Sequence, residues 1–133
     1  MAVVLDTGVV YAYYDRSDDW HKRARQLIKT EGLGLVLPSP IIPEVDHLLR
    51  HRIGAAACHV FFEGLTGGSY LVADLPRDGY TRVAELNRQY PDLGFVDAAV
   101  VAIAEARNLK RIATTDRRHF GPLAVPLALE ILP

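Results

Sequence analysis

Residues 2–8 read Ala-Val-Val-Leu-Asp-Thr-Gly, a run of four apolar side chains that is closed by Asp6. A short apolar run without polar alternation is typical of a strand that is buried on both faces of a parallel sheet. An aspartate at the end of such a strand must find partners or stay near solvent, because a buried unpaired charge is costly. The stretch therefore predicts a parallel sheet that carries a carboxylate at the carboxyl end of one strand.

The rest of the chain alternates short apolar runs with longer helical patterns. Four further strands are predicted over residues 33–37, 70–73, 111–115 and 127–132. Helices are predicted over residues 18–32, 39–53, 55–65, 78–91 and 95–107. Strands that alternate with helices of this length indicate the α/β class. We expect a three-layer α/β/α domain with a central parallel sheet of about five strands.

Length and composition limit the alternatives. A chain of 133 residues, half of them hydrophobic, fits one globular domain over residues 1–133. The formal net charge is only −1, so total charge does not indicate nucleic-acid binding and the placement of charges must decide. No apolar run reaches the roughly 20 residues that cross a bilayer, and the amino-terminal stretch lacks a basic segment. We expect a cytoplasmic protein.

Four acids share one edge of the predicted sheet. Asp6 and Asp116 follow strands, and Glu44 and Asp97 fall in the first turns of helices. Ligands of open parallel sheets bind outside the carboxyl ends of the strands, so the four carboxylates can converge there. Each acid alone has a simpler interpretation as a turn residue or as a complement to a helix dipole. Four acids on one edge weaken that interpretation.

Electrostatics indicates what such a cluster binds. Two carboxylates about 5 Å apart repel by roughly 3 kcal/mol at an effective dielectric constant of about 20, so a cation is needed to hold four together. Oxygen ligands with room left for water and phosphate favour Mg²⁺ or Mn²⁺ over a caged Ca²⁺. The single cysteine and five scattered histidines offer no zinc spacing. Such ions support hydrolysis of a phosphodiester.

Four motifs together resemble the PIN-domain family. They are Asp6-Thr7-Gly8, then Pro43-Glu44-Val45, then Phe95-Val96-Asp97-Ala98-Ala99, then Ala113-Thr114-Thr115-Asp116 with His119-Phe120 behind it. Each motif alone is weak, but their order and setting cover almost the whole chain. Some members of the family carry a further acid behind the last motif, where this chain has Arg118 and His119. That departure leaves open whether one or two metal ions bind.

The resemblance implies a function and a set of partners. Asp6, Glu44, Asp97 and Asp116 would be catalytic, and Asp6, Asp97 and Asp116 would hold Mg²⁺ or Mn²⁺. The chain would be an endoribonuclease that cuts structured or looped RNA with a metal-activated water. Its length is similar to that of VapC toxins, so the resemblance also implies a homodimer that is inhibited by a VapB antitoxin. Thr7 and Thr115 would orient the carboxylates or a water molecule.

Basic residues are expected to hold the flanking phosphates of the RNA. The candidates are Arg16, Lys22, Arg23, Arg25, Arg50, Arg52, Arg117 and Arg118.

Two other classes of protein that carry an acid directly after a strand fit this sequence less well. A haloacid-dehalogenase phosphatase needs a second acid at position 8, which is glycine, and a receiver domain needs a lysine after a late strand. A catalytically silent PIN-like module that binds RNA or protein remains the alternative.

Overall fold

The computed structural model describes residues 2–133, which form one α/β domain. Five parallel strands make the sheet, in the order β3-β2-β1-β4-β5. They are β1 (Val3–Leu5), β2 (Leu35–Pro38), β3 (Leu71–Ala73), β4 (Arg111–Ala113) and β5 (Glu130–Leu132). All residues of β1 and β2 are buried, as their unbroken apolar runs predict. The α/β class and the five-stranded parallel sheet are confirmed.

Seven α-helices connect the strands. They are α1 (Thr7–Tyr14), α2 (His21–Glu31), α3 (Ile42–Arg52), α4 (Ala55–Thr66), α5 (Gly79–Gln89), α6 (Phe95–Ala106) and α7 (Arg117–Phe120). Short 3₁₀ turns lie at Gly32–Gly34, Ser39–Ile41 and Gly121–Leu123. Helix α6 is buried without interruption from Ala98 to Ala104, in agreement with its nearly uniform apolar sequence. Within residues 2–133, no helix combines the length and the apolar character that a membrane span requires.

The strand order sets the position of a crevice. The chain runs outward from β1 through β2 to β3, then returns across the sheet to β4 and β5. Because parallel crossovers are right-handed, this reversal puts α1 to α4 on one face of the sheet and α5 and α6 on the other. The contacts agree, since α1 packs on α2 and α3, and α5 packs on α6. The direction changes between β1 and β4, where open sheets of this kind bind their ligands.

The structure departs from the predictions at some helices. Helix α1 was not predicted, because its eight residues are almost continuously apolar and show no helical periodicity. On α5, Val83 and Leu86 are buried, whereas Tyr80 is 59% exposed. Asp78 stands at the start of α5 but makes no side-chain capping hydrogen bond. The left-handed backbone of Asn108, with φ of 56°, confirms the predicted end of α6.

Candidate metal centre

Asp6 is placed at the crevice by the end of β1. Its backbone N–H donates to the carbonyl of Ala113 on β4 at 2.9 Å, which fixes it beside the neighbouring strand. The residue is only 5% exposed, and the Thr114 hydroxyl donates to its Oδ2 at 2.8 Å. Burial raises the pKa of Asp6 to about 6, and the charges of Glu44 and Asp116 act in the same direction. This carboxyl is therefore partly protonated near neutral pH.

Thr114 connects two of the acids. Its hydroxyl donates to Asp6 and accepts the backbone N–H of Asp116 at 2.9 Å, and the residue is fully buried. The predicted supporting residue was the neighbouring Thr115, because the motif alone does not say which threonine faces inward. Strand alternation does not separate the two, since Ile112 and Ala113 on opposite faces of β4 are both buried.

Thr115 contacts the Asp-Thr-Gly motif rather than a carboxylate. A Cβ added to Gly8 would lie 2.1 Å from Thr115 Oγ1, so only glycine fits at position 8 without a shift of that side chain. Gly8 thus allows α1 to start close against the loop that follows β4. The role of Thr115 in orienting water or a carboxylate stays a prediction.

Glu44 and Thr7 form the outer wall of the site. Glu44 is in the first turn of α3, as predicted, and it is exposed. The Thr7 hydroxyl donates to Glu44 Oε1 at 2.5 Å, across a separation of 37 residues. The predicted contact of Thr7 with a site carboxylate is therefore present. This hydrogen bond uses Oε1 and leaves Oε2 of Glu44 for another partner.

Asp97 lies opposite Asp6, in the first turn of α6. Burial raises its pKa to about 7, and the charges of Asp6, Asp116 and Glu44 add to the shift. Only the His119 charge acts the other way. Because all three other acids affect Asp97, the structure brings the four carboxylates of the sequence prediction together.

Asp116 and His119 form a tight pair. The His119 backbone N–H donates to Asp116 Oδ1 at 3.1 Å, and its Nδ1 lies 2.7 Å from Oδ2. Burial acts to raise the pKa of Asp116, but the hydrogen bonds from His119 outweigh it and the pKa falls below its ordinary value. The same contact raises the pKa of His119. When His119 is protonated, it offsets part of the negative charge of the acids.

The donor set fits a hard divalent cation. Ligand atoms of Asp97, Asp116 and His119 lie within 4.8 Å of one another, close enough for one ion. The carboxylate oxygens of Asp97 and Asp116 suit Mg²⁺ or Mn²⁺. An imidazole is a ligand for transition metals rather than for Mg²⁺, so direct binding by a neutral His119 would favour Mn²⁺. His119 was not among the predicted ligands, because the five histidines are scattered along the sequence. Its position three residues after Asp116, on the first turn of a helix, was the available signal.

The basic candidates do not converge as the acids do. Arg117 and Arg118 follow Asp116 directly and are exposed, and the Arg117 guanidinium donates to the Pro133 carbonyl. Arg50 pairs with Asp46 at 3.0 Å, and the Arg52 guanidinium lies 5.2 Å from the Tyr11 ring. Both belong to the last turn of α3, about 12 Å along the helix axis from its first turn.

The remaining basic candidates lie on other elements. The Arg23 guanidinium lies over the Trp20 ring at 4.4 Å. The other three, all exposed, are Arg16, Lys22 and Arg25. RNA binding by all eight basic residues stays a prediction, and Arg117 and Arg118 are placed best for it.

Comparisons with known proteins give a family and a curated relative. The family model of the PIN domain matches residues 3–123. The chain is 29% identical over 123 residues to Ribonuclease VapC26 of Mycobacterium tuberculosis (strain ATCC 25618 / H37Rv), and the match covers 91% of each chain.

Solved structures are similar in fold. They include VapC20 of Mycobacterium tuberculosis, a sarcin-ricin loop cleaving toxin, with a TM-score of 0.77, 18% identity, and 84% of this chain and 87% of that chain covered. They also include DNA-bound VapBC from Salmonella typhimurium, with a TM-score of 0.72, 17% identity, and 98% and 96% covered. At these identities the likeness establishes the three-layer fold alone.

The raised pKa of Asp97 predicts how stability depends on pH. An acid whose folded pKa lies above its unfolded value stabilises the fold below the unfolded pKa, and that contribution is lost as pH rises through the folded pKa. For Asp97, this contribution to the stability of the fold is lost between about pH 4 and pH 7. In EDTA at pH 8, we expect Asp97→Asn to be more stable than the wild type by roughly 1 to 3 kcal/mol.

Urea unfolding of both proteins at pH 5 and pH 8 measures this difference. The advantage of the variant should shrink at pH 5, where the wild-type carboxyl is protonated. A variant that is less stable than the wild type at pH 8 would contradict the prediction and would make Asp97 a structural acid.

Proposed function

The chain belongs to the PIN-domain family, and from this premise we propose that it is a Mg²⁺- or Mn²⁺-dependent endoribonuclease of the VapC toxin type. The observation that carries the proposal is the convergence of Asp6, Glu44, Asp97 and Asp116 at the switch point of the sheet. Acids with raised pKa values in a crevice are typical of functional sites. The similarity to Ribonuclease VapC26 supports RNA as the substrate.

Each side chain has a distinct part in the proposed reaction. Asp97 and Asp116 would hold the cation. Asp6, whose Oδ2 accepts a hydrogen bond from Thr114, would be the third carboxylate ligand. A divalent cation bound there would stabilise charge on the phosphate and make water more acidic. Glu44, oriented by Thr7, is placed at the exposed rim to accept a proton from the attacking water through Oε2. No covalent bond between enzyme and RNA is required.

The basic residues beside the acids are proposed to hold the substrate. Arg117 and Arg118 are exposed next to Asp116, where they would bind the phosphates on either side of the scissile bond. Their charge matters because four carboxylates otherwise repel the RNA backbone. Structured or looped RNA is favoured as substrate because an unpaired segment can bend into a crevice that a duplex cannot enter.

An antitoxin partner completes the proposal. Structural neighbours of the chain include toxin–antitoxin complexes, among them the VapBC complex from Salmonella typhimurium. We propose a VapB-type antitoxin that folds on binding and places a basic side chain among the carboxylates, where it offsets their repulsion and excludes the metal. A homodimer and a cytoplasmic location belong to the same proposal. The alternative is a catalytically silent module that binds RNA or protein.

Asp97→Asn is expected to abolish RNA cleavage while the fold is retained. The change removes a metal ligand and one negative charge but preserves the shape of the side chain. We expect a loss of at least 10²-fold in the rate, and EDTA should abolish cleavage by the wild type. The measurement is cleavage of total cellular RNA with Mg²⁺ or Mn²⁺, with the new 5′ ends mapped.

The control for this experiment is Asp74→Asn, which removes an exposed acid that is not one of the four carboxylates and should cleave normally. Cleavage that continues undiminished in EDTA would exclude the metal-dependent reaction. Absence of cleavage by wild-type protein, in the presence of metal and RNA binding, would favour the silent module.

The toxin assignment predicts an effect on growth. Expression of the wild-type chain alone in bacteria should arrest growth, because no inhibitor is present to fill the crevice. Asp97→Asn should remove the arrest, and co-expression of the neighbouring gene should restore growth to cells that express the wild type. Optical density and viable counts measure the effect. Normal growth with soluble, RNA-cleaving protein would refute the toxin role and leave the ribonuclease intact.

A further inference from the structure

Two histidines stand one helical turn apart on an exposed face of α3. His47 and His51 are both exposed, and the centroids of their rings are 4.1 Å apart with 39° between the ring planes. Residues four apart on a helix share a face, and each side chain leans towards the helix N-terminus. The His51 ring therefore lies over the turn that carries His47.

A hydrogen bond orients the His51 ring. Its Nδ1 lies 2.9 Å from the backbone carbonyl oxygen of His47. A carbonyl oxygen can only accept, so Nδ1 carries the proton and the neutral ring has its lone pair on Nε2. Metal-binding histidines are commonly fixed in this way, with one ring nitrogen bound to a carbonyl and the other left for the metal. His51 is thus in a tautomer that can bind a metal through Nε2.

The two rings are close enough to hold one ion between them. With metal–nitrogen distances of about 2.0 Å, two imidazole nitrogens on the same ion lie roughly 3 Å apart. Rotation of the exposed His47 side chain can bring the nitrogens to this separation without a change in the backbone of α3. The sequence offers no complete four-ligand zinc pattern, and this pair supplies two ligands, with water free to complete the coordination from the solvent side.

The charged neighbours of the pair are engaged elsewhere. Two arginines flank His51 in sequence. Arg50 pairs with Asp46 at 3.0 Å, and the Arg52 guanidinium lies 5.2 Å from the centroid of the Tyr11 ring. The Arg50 charge is therefore partly offset by Asp46, which lowers the repulsion that a bound cation would meet.

The simpler interpretation is that these are ordinary surface histidines near the C-terminus of a helix, where a positive charge complements the helix dipole. That interpretation explains either histidine alone. It does not explain two rings side by side, because like charges one turn apart on a helix repel each other. Binding of one cation by two neutral rings removes that repulsion.

We propose that His47 and His51 form a binding site for a transition-metal ion such as Zn²⁺, Ni²⁺ or Cu²⁺, separate from the carboxylate site. Imidazole nitrogens suit such ions, whereas Mg²⁺ is bound through oxygen. His47 lines the same open cavity as Thr7 and Glu44, so the pair adjoins the outer wall of the crevice. It shares no ligand with the carboxylate site, and the inference does not rest on ribonuclease activity.

Titration with copper tests the pair directly, because Cu²⁺ binds nitrogen ligands most tightly among the divalent first-row ions and broadens nearby NMR signals. Cu²⁺ is added to the ¹⁵N-labelled protein up to two equivalents, in a buffer that does not bind copper. We expect the amide signals of residues 43–52 to broaden, whether or not the carboxylate site also binds copper. If these signals stay sharp while others broaden, or if no signal broadens, the site is refuted.

Single substitutions distinguish chelation from binding to isolated histidines. Because two linked ligands bind far more tightly than one, His47→Gln and His51→Gln should each weaken copper binding at α3 by about tenfold or more. The matched control is His59→Gln, which removes an exposed histidine of α4 that has no histidine one turn away. Asp97→Asn should leave the broadening of residues 43–52 unchanged. A loss no greater for His47→Gln than for His59→Gln would overturn the proposal.

Melting with Zn²⁺ gives a second measurement, made in the Asp97→Asn background so that the carboxylate site contributes little. Zn²⁺ at about ten times its Kd should raise the melting temperature by roughly 5 °C, because the ion binds only the folded helix. Adding His47→Gln and His51→Gln should remove this rise. Without metal, those changes should leave the melting temperature unaltered, since both side chains are exposed. An equal rise with and without the two histidines would contradict the site.

Discussion

The structure depends on keeping four carboxylates together at one edge of a buried sheet. Asp6 is 5% exposed, and burial and its acidic neighbours raise its pKa to about 6. The chain offsets this cost with local partners, since Thr114 donates to Asp6, Thr7 donates to Glu44, and His119 pairs with Asp116. These contacts orient the acids but do not neutralise them all, and the remaining repulsion supports the proposed cation site.

The topology explains why the acids meet. The chain leaves β1 on one side and returns to β4 on the other, so β1 and β4 are neighbours at the switch point of the sheet. Asp6 follows β1 and Asp116 follows β4. Helices α3 and α6 lie on opposite faces of the sheet, and their first turns add Glu44 and Asp97 at the same edge. The buried run of α6 from Ala98 to Ala104 anchors Asp97 against the sheet. A packed core thus fixes the geometry that the proposed chemistry requires.

The pattern of apolar residues predicted the sheet and most helices, because it repeats along each element. The positions of the four acids at the ends of strands and the starts of helices predicted that they lie at one edge of the sheet. Other features depend on tertiary packing, which a single sequence does not encode locally. Helix α1 has no polar face to reveal its period, and the motif does not show that Thr114 rather than Thr115 points inward.

Calorimetric titration of Mn²⁺ into the metal-free protein at pH 7.5 tests the central claim that the carboxylates form a cation site. The account predicts saturable binding to the wild type and to the exposed-acid control Asp74→Asn. It predicts binding at least tenfold weaker for Asp97→Asn, which lacks one of the grouped ligands. Equal affinity of Asp97→Asn and the wild type, or no binding to either, would contradict it.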